Sequence, residues 1–320
     1  MKFLITGGAG FIGSHLTESL LAEGHQVVVV DDLSTGSLDN LAKFANDPNL
    51  DFVEGDILHL PELEYLITRS DMVYHLAAAV GVELVVNDPV RTIVTNVHGT
   101  EKVLKGAVRN NTRVLVASTS EVYGKSEKEA FSESDDLLIG PSTRSRWSYA
   151  CSKLLDEFYA MAHYRASKLP VLVSRFFNTV GPRQTGRYGM VLPRFVSKAL
   201  ANEPLQVYGD GQQSRCFCHV YDTVRALHSL ATCDDAIGKV FNIGTTRQCT
   251  ITELAEMVIE RTNSASDIEY ISYEKAYEPG FEDMRRRLPD TTVIKGLIDW
   301  EPENSLEKII DDVTDFYRKL

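Results

Sequence analysis

Thr6-Gly7-Gly8-Ala9-Gly10-Phe11-Ile12-Gly13 follows the apolar run Lys2-Phe3-Leu4-Ile5 and leads into Ser14-His15-Leu16-Thr17-Glu18-Ser19-Leu20-Leu21. The first run has the continuous apolar character of a strand buried on both faces. Phe11–Glu23 has the spacing of an amphipathic helix. Between them Gly7, Gly10 and Gly13 form G-x-x-G-x-x-G. At a strand-to-helix junction glycine permits the tight turn, the approach of a pyrophosphate to backbone N–H groups, and close packing of helix on strand. The helix N-terminus then faces the phosphate charge. Glycines also mark ordinary turns, and it is the position between strand and helix that gives this triplet its meaning. Phe11 and Ile12, inside the motif, join the three glycines as candidate cofactor contacts.

The next apolar run, Gln26-Val27-Val28-Val29-Val30, ends in Asp31-Asp32. A carboxylate about 20 residues beyond such a glycine turn accepts hydrogen bonds from the adenosine ribose hydroxyls and repels a 2′-phosphate, so Asp31, with Asp32 beside it, points to NAD over NADP. Asp56 and Ile57 follow the third apolar run and are placed to contact adenine. Leu76, Ala77 and Ala78 follow the fourth and offer small groups where backbone passes near a cofactor.

Further apolar runs at Asp51–Glu54, Met72–His75, Arg113–Ala117 and Pro170–Arg175 alternate with amphipathic stretches at Pro89–Arg109 and Trp147–Ser167. That alternation predicts an α/β chain with a doubly wound parallel sheet. Beyond about residue 176 the segments shorten and the loops become richer in Gly, Pro and Arg, with a last helical stretch over Ser305–Lys319. Residues 1–175 read as the dinucleotide-binding body. Residues 176–320 read as mostly a smaller α+β substrate-binding lobe, with some elements returning to the sheet.

The chain has 320 residues, 43% hydrophobic and 24% charged, with a net charge of −12. This is ordinary for a globular protein, and the acidic balance argues against general nucleic-acid binding. No apolar run approaches the roughly 18–20 residues of a membrane helix. The N-terminus lacks a basic segment followed by a long apolar core, so the expectation is a cytoplasmic protein. Five cysteines at positions 151, 216, 218, 233 and 249 match no zinc spacing, and no metal is expected.

Tyr149-Ala150-Cys151-Ser152-Lys153 opens the Trp147–Ser167 helix and sets Tyr149 and Lys153 on one face. An ammonium there favours tyrosinate and would lower the phenol from about 10 toward working pH. Tyr149 could then take a proton from a sugar hydroxyl as hydride leaves. Y-x-x-x-K alone occurs on many amphipathic helices; it gains weight behind a dinucleotide fold. The fifth strand ends in Ser118-Thr119-Ser120-Glu121, at the edge that faces a ligand crevice. Thr119 or Ser120 can hydrogen-bond the reacting hydroxyl, and Glu121 can serve as a second acid or base.

Together these residues resemble the extended short-chain dehydrogenases/reductases, the nucleotide-sugar epimerases, dehydratases and decarboxylases. The resemblance covers nearly the whole chain, including Arg175-Phe176-Phe177-Asn178-Thr179-Val180-Gly181-Pro182-Arg183, Tyr208-Gly209-Asp210-Gly211, Phe241-Asn242-Ile243-Gly244 and Trp300-Glu301-Pro302. Within the family it is nearest to the UDP-glucuronate decarboxylases, through Ser120-Glu121, Arg146-Trp147-Ser148-Tyr149 and the Tyr277–Asp290 segment. The resemblance implies that Asn178, Arg215 and Arg287 hold the diphosphate or the sugar carboxylate; guanidinium groups suit both. Gln184–Met190, with Arg187, departs from the family patterns and is a candidate to touch the sugar. The implied substrate is a UDP-linked sugar, the implied assembly a homodimer through the helices at Pro89–Arg109 and Trp147–Ser167. The implied chemistry is oxidation at C4, loss of CO2 from the resulting β-keto acid, and return of hydride. A UDP-sugar 4-epimerase and a 4,6-dehydratase are the alternatives, and a non-catalytic NAD-sensing scaffold is a third reading from a different class.

Overall fold

In the computed structural model, which describes residues 1–81, 88–186, 190–272 and 287–320, β1 (Lys2–Thr6) turns through the glycine cluster into α1 (Phe11–Ala22). The chain continues as β2 (Gln26–Asp31), β3 (Leu50–Glu54), α2 (Leu63–Thr68), β4 (Met72–His75), α3 (Pro89–Asn110), β5 (Arg113–Thr119), α4 (Trp147–Ser167) and β6 (Val171–Phe176). The helix ends follow local chemistry. Asp88 caps α3 by accepting from the Arg91 N–H at 3.0 Å, and Pro89 fills the first turn, where no N–H is needed. Left-handed Asn111 and Lys168 close α3 and α4.

Seven strands form one sheet in the order β11-β6-β5-β4-β1-β2-β3, with every pairing parallel. Strand alternation sorts the side chains. Phe3, Ile5, Val27, Val29 and Tyr74 face one side, where Leu16 and Leu20 of α1 pack. Leu4, Val28, Val73, Val114 and Val171 face the other, against Val103 and Leu104 of α3 and Ala160 of α4. The doubly wound parallel sheet expected from the alternating pattern is therefore present. The chain moves outward from β1 to β3 and then returns to β4 on the opposite side of β1, so the winding reverses between β1 and β4. A crevice opens at the carboxyl ends of strands at such a reversal.

After β6 come β7 (Thr179–Val180), α5 (Val191–Leu200), β8 (Leu205–Tyr208), β9 (Ser214–Cys216), β10 (Cys218–His219) and α6 (Val220–Thr232). β11 (Val240–Ile243), β12 (Gln248–Thr250), α7 (Ile251–Thr262), β13 (Ile268–Ile271), α8 (Thr292–Ile298) and α9 (Leu306–Tyr317) complete the chain. β11 joins the main sheet beside β6, and Val224 and Leu227 of α6 pack into the same core as α1. Ile294 of α8 joins that core too, whereas α5, β8, α7 and α9 gather a separate apolar cluster around Leu192, Phe195, Leu205, Val207, Leu254 and Ile309. Three two-stranded ribbons, β7–β10, β8–β13 and β9–β12, edge it.

Several expected element ends shift by a residue or two, and two of the shifts have a clear local cause. β5 runs on to Thr119, because Ser118 and Thr119 still pair with Arg175 and Phe176. The last helix starts at Leu306, with Ser305 as its cap accepting from the Lys308 N–H. Among the described residues no helix is long and apolar enough to cross a membrane.

One buried network fixes the parts that face the crevice. Glu157 of α4 receives two hydrogen bonds from Arg175 of β6, Nε at 2.9 Å and a terminal nitrogen at 2.7 Å. The other Arg175 nitrogen donates to the Tyr123 hydroxyl at 2.9 Å, and that hydroxyl donates to Asn242 Oδ1 on β11 at 2.7 Å. The Asn242 amide in turn donates to the carbonyls of Phe131 and Asp290, and Ser118 donates to Glu157.

Candidate active site

The crevice at the reversal point has a volume of about 1080 Å³ and is lined from both the sheet and the later elements. Its floor is the glycine turn. Gly7 has φ +76°, and a Cβ there would stand 2.8 Å from the Ala77 nitrogen. A Cβ on Gly13 would meet the Gly7 carbonyl at 2.2 Å, so α1 could not sit as close to β1 with any other residue. A Cβ on Gly10 would meet only the Gly7 carbonyl, at 3.2 Å, and would otherwise fill open space. Gly10 is also the N-cap of α1, and no side chain caps that helix. Its first N–H groups are left for an anionic ligand, and the turn fits a dinucleotide pyrophosphate. Phe11 and Ile12 complete this floor.

Asp31 lines the crevice at the end of β2 and is 7% exposed. Its carboxylate does more than face a ribose. Oδ2 accepts from the Ala9 N–H and Oδ1 from the Leu33 N–H, both at 2.9 Å, so Asp31 also braces the glycine turn. Burial raises the Asp31 carboxyl, while those N–H groups work against the rise. Asp32 is exposed beside it and accepts from the Ser34 N–H and hydroxyl. Asp56 accepts from the Leu58 N–H and pairs with His59 at 2.8 Å, and Ile57 is buried behind it. Leu76, Ala77 and Ala78 form the opposite wall.

The polar group lies across the crevice from the glycine floor. Thr119 ends β5 and accepts from the Glu121 N–H at 3.2 Å, which turns the chain into a short 3-10 segment over Ser120–Tyr123. Ser120 is 2% exposed. The Glu121 carboxylate lies between two guanidinium groups, Arg287 at 2.6 Å and Arg146 at 3.4 Å. Tyr149 and Lys153 both line the crevice from α4.

The expected effect of Lys153 on Tyr149 is corrected by the structure. Burial raises the Tyr149 phenol well above its ordinary value, and the Glu121 and Asp156 carboxylates push the same way; only the Thr119 hydroxyl opposes them. Lys153, instead of standing free beside the phenol, is paired with Asp156 at 2.7 Å. In the chain by itself Tyr149 is a neutral phenol.

Of the expected substrate contacts, Asn178, Arg215 and Arg287 all line the crevice. Asn178 adopts φ +35° and donates to the Cys216 carbonyl at 3.2 Å. Arg215 is 7% exposed and donates to the Ser214 carbonyl. Arg187 and the Tyr277–Arg286 stretch lie outside the described residues. Gln184, from the stretch expected to touch the sugar, also lines the crevice, whereas sequence reasoning missed Arg146, Arg183, Arg194, Tyr208 and Gln213 as lining residues. Arg146, Arg183 and Tyr208 sit inside quoted motifs, which was the available signal; nothing local marks Arg194 or Gln213. Among the described residues one group gathers metal-ligating atoms, Glu23, His25 and His228. It lies outside the crevice, and both imidazoles have Glu23 as an ion-pair partner.

With this geometry in hand, comparison with known proteins is direct. Residues 4–313 match the family described as GDP-mannose 4,6 dehydratase. The chain belongs to that family. It is accordingly an enzyme of the nucleotide-sugar-modifying kind. The chain is similar to a UDP-N-acetyl-alpha-D-glucosaminuronate decarboxylase of Bacillus cytotoxicus, 39% identical over 323 residues, covering 100% of this chain and 98% of that one. UDP-glucuronic acid decarboxylase 5 of Arabidopsis thaliana is 37% identical over 319 residues, covering 96% of this chain and 86% of its own. Among solved structures, the UDP-glucuronic acid 4-epimerase of Bacillus cereus, in complex with UDP-glucuronic acid and NAD, superposes with a TM-score of 0.89. It is 29% identical and covers 100% of this chain and 99% of that one.

The raised phenol is open to direct test. With ζ-carbon-13 tyrosine, the resonance assigned by its loss in Tyr149→Phe is expected to stay in the phenol form up to about pH 10, the ordinary tyrosine value. A Tyr149 resonance that titrates near neutrality in the cofactor-free chain would contradict this assignment.

Proposed function

We propose that this family member decarboxylates a UDP-linked uronate, with UDP-glucuronate the first candidate and NAD as its tightly held cofactor. The observation that carries the reading is the Arg146–Glu121–Arg287 group beside Ser120 and Tyr149. Two guanidiniums around one carboxylate leave net positive charge where a sugar carboxylate would approach. A carboxyl group is also available there to move a proton. The names of the relatives support the same reading: one acts on a UDP-N-acetyl-glucosaminuronate and another on UDP-glucuronic acid. The seven-stranded body would hold NAD, and much of the chain after residue 176 would form the lobe that holds the UDP-sugar.

Bound NAD would supply the acceptor, and later the donor, of hydride at sugar C4. Gly7, Gly10 and Gly13 would hold its pyrophosphate and Asp31 its adenosine ribose. Tyr149 would take the C4 hydroxyl proton once its own phenol proton has left, with Thr119 or Ser120 hydrogen-bonded to the same oxygen. The ketone at C4 makes the C6 carboxylate part of a β-keto acid. The C5–C6 bond then breaks, CO2 leaves, and the bonding pair moves into an enolate stabilised at the C4 oxygen. Glu121 or Tyr149 would deliver a proton to C5. Arg287, Arg215 and Asn178 would hold the substrate's anionic groups.

The second reading, a 4-epimerase, is favoured by the likeness to the Bacillus cereus structure. Proton NMR of the chain with UDP-glucuronate and catalytic NAD separates the two. The expected product is a UDP-pentose or its 4-keto form, with Tyr149→Phe lowering turnover at least about a hundredfold and Glu121→Gln also strongly impaired. UDP-galacturonate as product, with Glu121→Gln unimpaired, would establish the epimerase. Turnover of UDP-N-acetyl-glucosaminuronate in place of UDP-glucuronate would keep the reaction and change the sugar.

The same reading includes a homodimer through α3 and α4. These helices pack together yet leave Val90, Ile93 and Val94 of α3 and Leu155 and Phe158 of α4 exposed, Phe158 by 62%. Exposed apolar side chains on paired helices suit burial against a second copy of the chain. Sedimentation is expected to show a dimer for the native chain and a monomer for Phe158→Glu; a monomeric native chain would rule the dimer out.

A further inference from the structure

The ammonium of Lys153 is 2% exposed and its partner Asp156 is 1% exposed. Lys153 Nζ donates to Asp156 Oδ2 at 2.7 Å, while Asp156 Oδ1 is buried outside hydrogen-bond geometry; burial raises the Asp156 carboxyl, and the Lys153 ammonium and the Thr100 hydroxyl oppose the rise. A buried carboxylate with one oxygen unsatisfied carries a large desolvation cost, and an apolar residue of similar volume would often pack at least as well. What the carboxylate provides, and an apolar side chain would not, is negative charge against the lysine.

The other ionisable groups around the pair are already engaged. His75 of β4 is buried, with Nδ1 bonded to the Thr6 hydroxyl at 2.8 Å and Nε2 to the Thr100 hydroxyl at 3.0 Å. Burial first, and the Lys153 charge second, push its pKa down to about 3, so it is neutral. Glu157, next on α4, is held by Arg175 of β6. Glu121, in the turn after β5, lies between Arg146 and Arg287. Asp156 is thus the direct counter-charge of Lys153 among the described residues. It also adds to the charge that opposes ionisation of Tyr149.

We propose that Asp156 is a positioning residue, the internal counter-ion of Lys153, and that it sets how much of the lysine's charge reaches Tyr149. The inference rests on the reading of Tyr149 as the group that takes the sugar proton. Lys153 and Asp156 stand one helical turn apart on α4, and the pair holds Nζ down against the helix. With the carboxylate present, the lysine's field at the phenol is largely cancelled. With the carboxylate neutralised, the field favours tyrosinate, so Tyr149 ionises at lower pH.

Asp156→Asn keeps the shape and removes the charge. The acid limb of its kcat/KM–pH profile with UDP-glucuronate and NAD, set by ionisation of Tyr149, is expected to move to lower pH, by on the order of one unit. Asp156→Glu should restore the native profile in part. The ζ-carbon-13 resonance of Tyr149 in the cofactor-free chain should move the same way and needs no substrate. An acid limb and a resonance that coincide with the native protein, even with a lower kcat or melting temperature, would overturn the inference. So would loss of folding in both Asp156→Asn and Asp156→Ser, which would make the pair a structural staple. Should Tyr149→Phe keep native turnover, the underlying catalytic reading fails. An inactive Tyr149→Phe together with an unmoved Asp156→Asn profile sinks this inference alone.

Discussion

The buried pair between Arg175 and Glu157 is the contact on which the crevice geometry depends. It joins β6 to α4, and through Tyr123 and Asn242 it also holds the 3-10 turn after β5 and the chain near Asp290. Those are the segments that carry Thr119, Ser120, Glu121, Tyr149 and Arg287. A buried ion pair is not a cheap source of stability, because desolvation offsets much of the attraction. Removing one partner, however, costs about 3–5 kcal/mol, since the other is left charged and unpaired. The pair therefore acts chiefly to specify one arrangement, with two bonds from a planar guanidinium fixing both distance and angle.

The second constraint is steric and sits on the other side of the crevice. The parallel sheet reverses its winding between β1 and β4, which opens the carboxyl edge of β1 to a ligand. Glycines at 7 and 13 bring backbone to within a distance no Cβ would permit, and Asp31 ties the turn to the end of β2. A dinucleotide held there meets the groups that the Arg175–Glu157 network positions from the opposite side. Function then depends on two rigid frames facing each other across one crevice, each set by its own local rule.

Much of this was legible in the amino-acid order because it rests on local rules. The glycine spacing marked the β1–α1 turn, the amphipathic stretch from Pro89 to Arg109 marked α3, and the one-turn spacing of Tyr149 and Lys153 put both on one face of α4. The parallel sheet followed from apolar runs alternating with amphipathic ones. What escaped were properties set by burial and by distant partners. The phenol of Tyr149 is raised, not lowered, because it is buried and the Glu121 and Asp156 carboxylates oppose its ionisation; the spacing of Tyr149 and Lys153 was readable, the burial was not. Glu121 read as a second acid or base, yet Arg146 and Arg287 come to it from farther along the chain. β5 outran its apolar stretch because backbone pairing with β6 continued through Ser118 and Thr119.

The central claim is that one crevice oxidises C4, releases the carboxylate and returns the same hydride. Turnover of UDP-glucuronate in deuterium oxide with catalytic NAD, followed by proton NMR of the UDP-pentose, tests it most directly. The account predicts solvent deuterium at C5, where the enolate is protonated, and protium retained at C4, where the hydride never leaves the site. A C5 methylene that carries two protiums and no deuterium, or deuterium at C4, would contradict it.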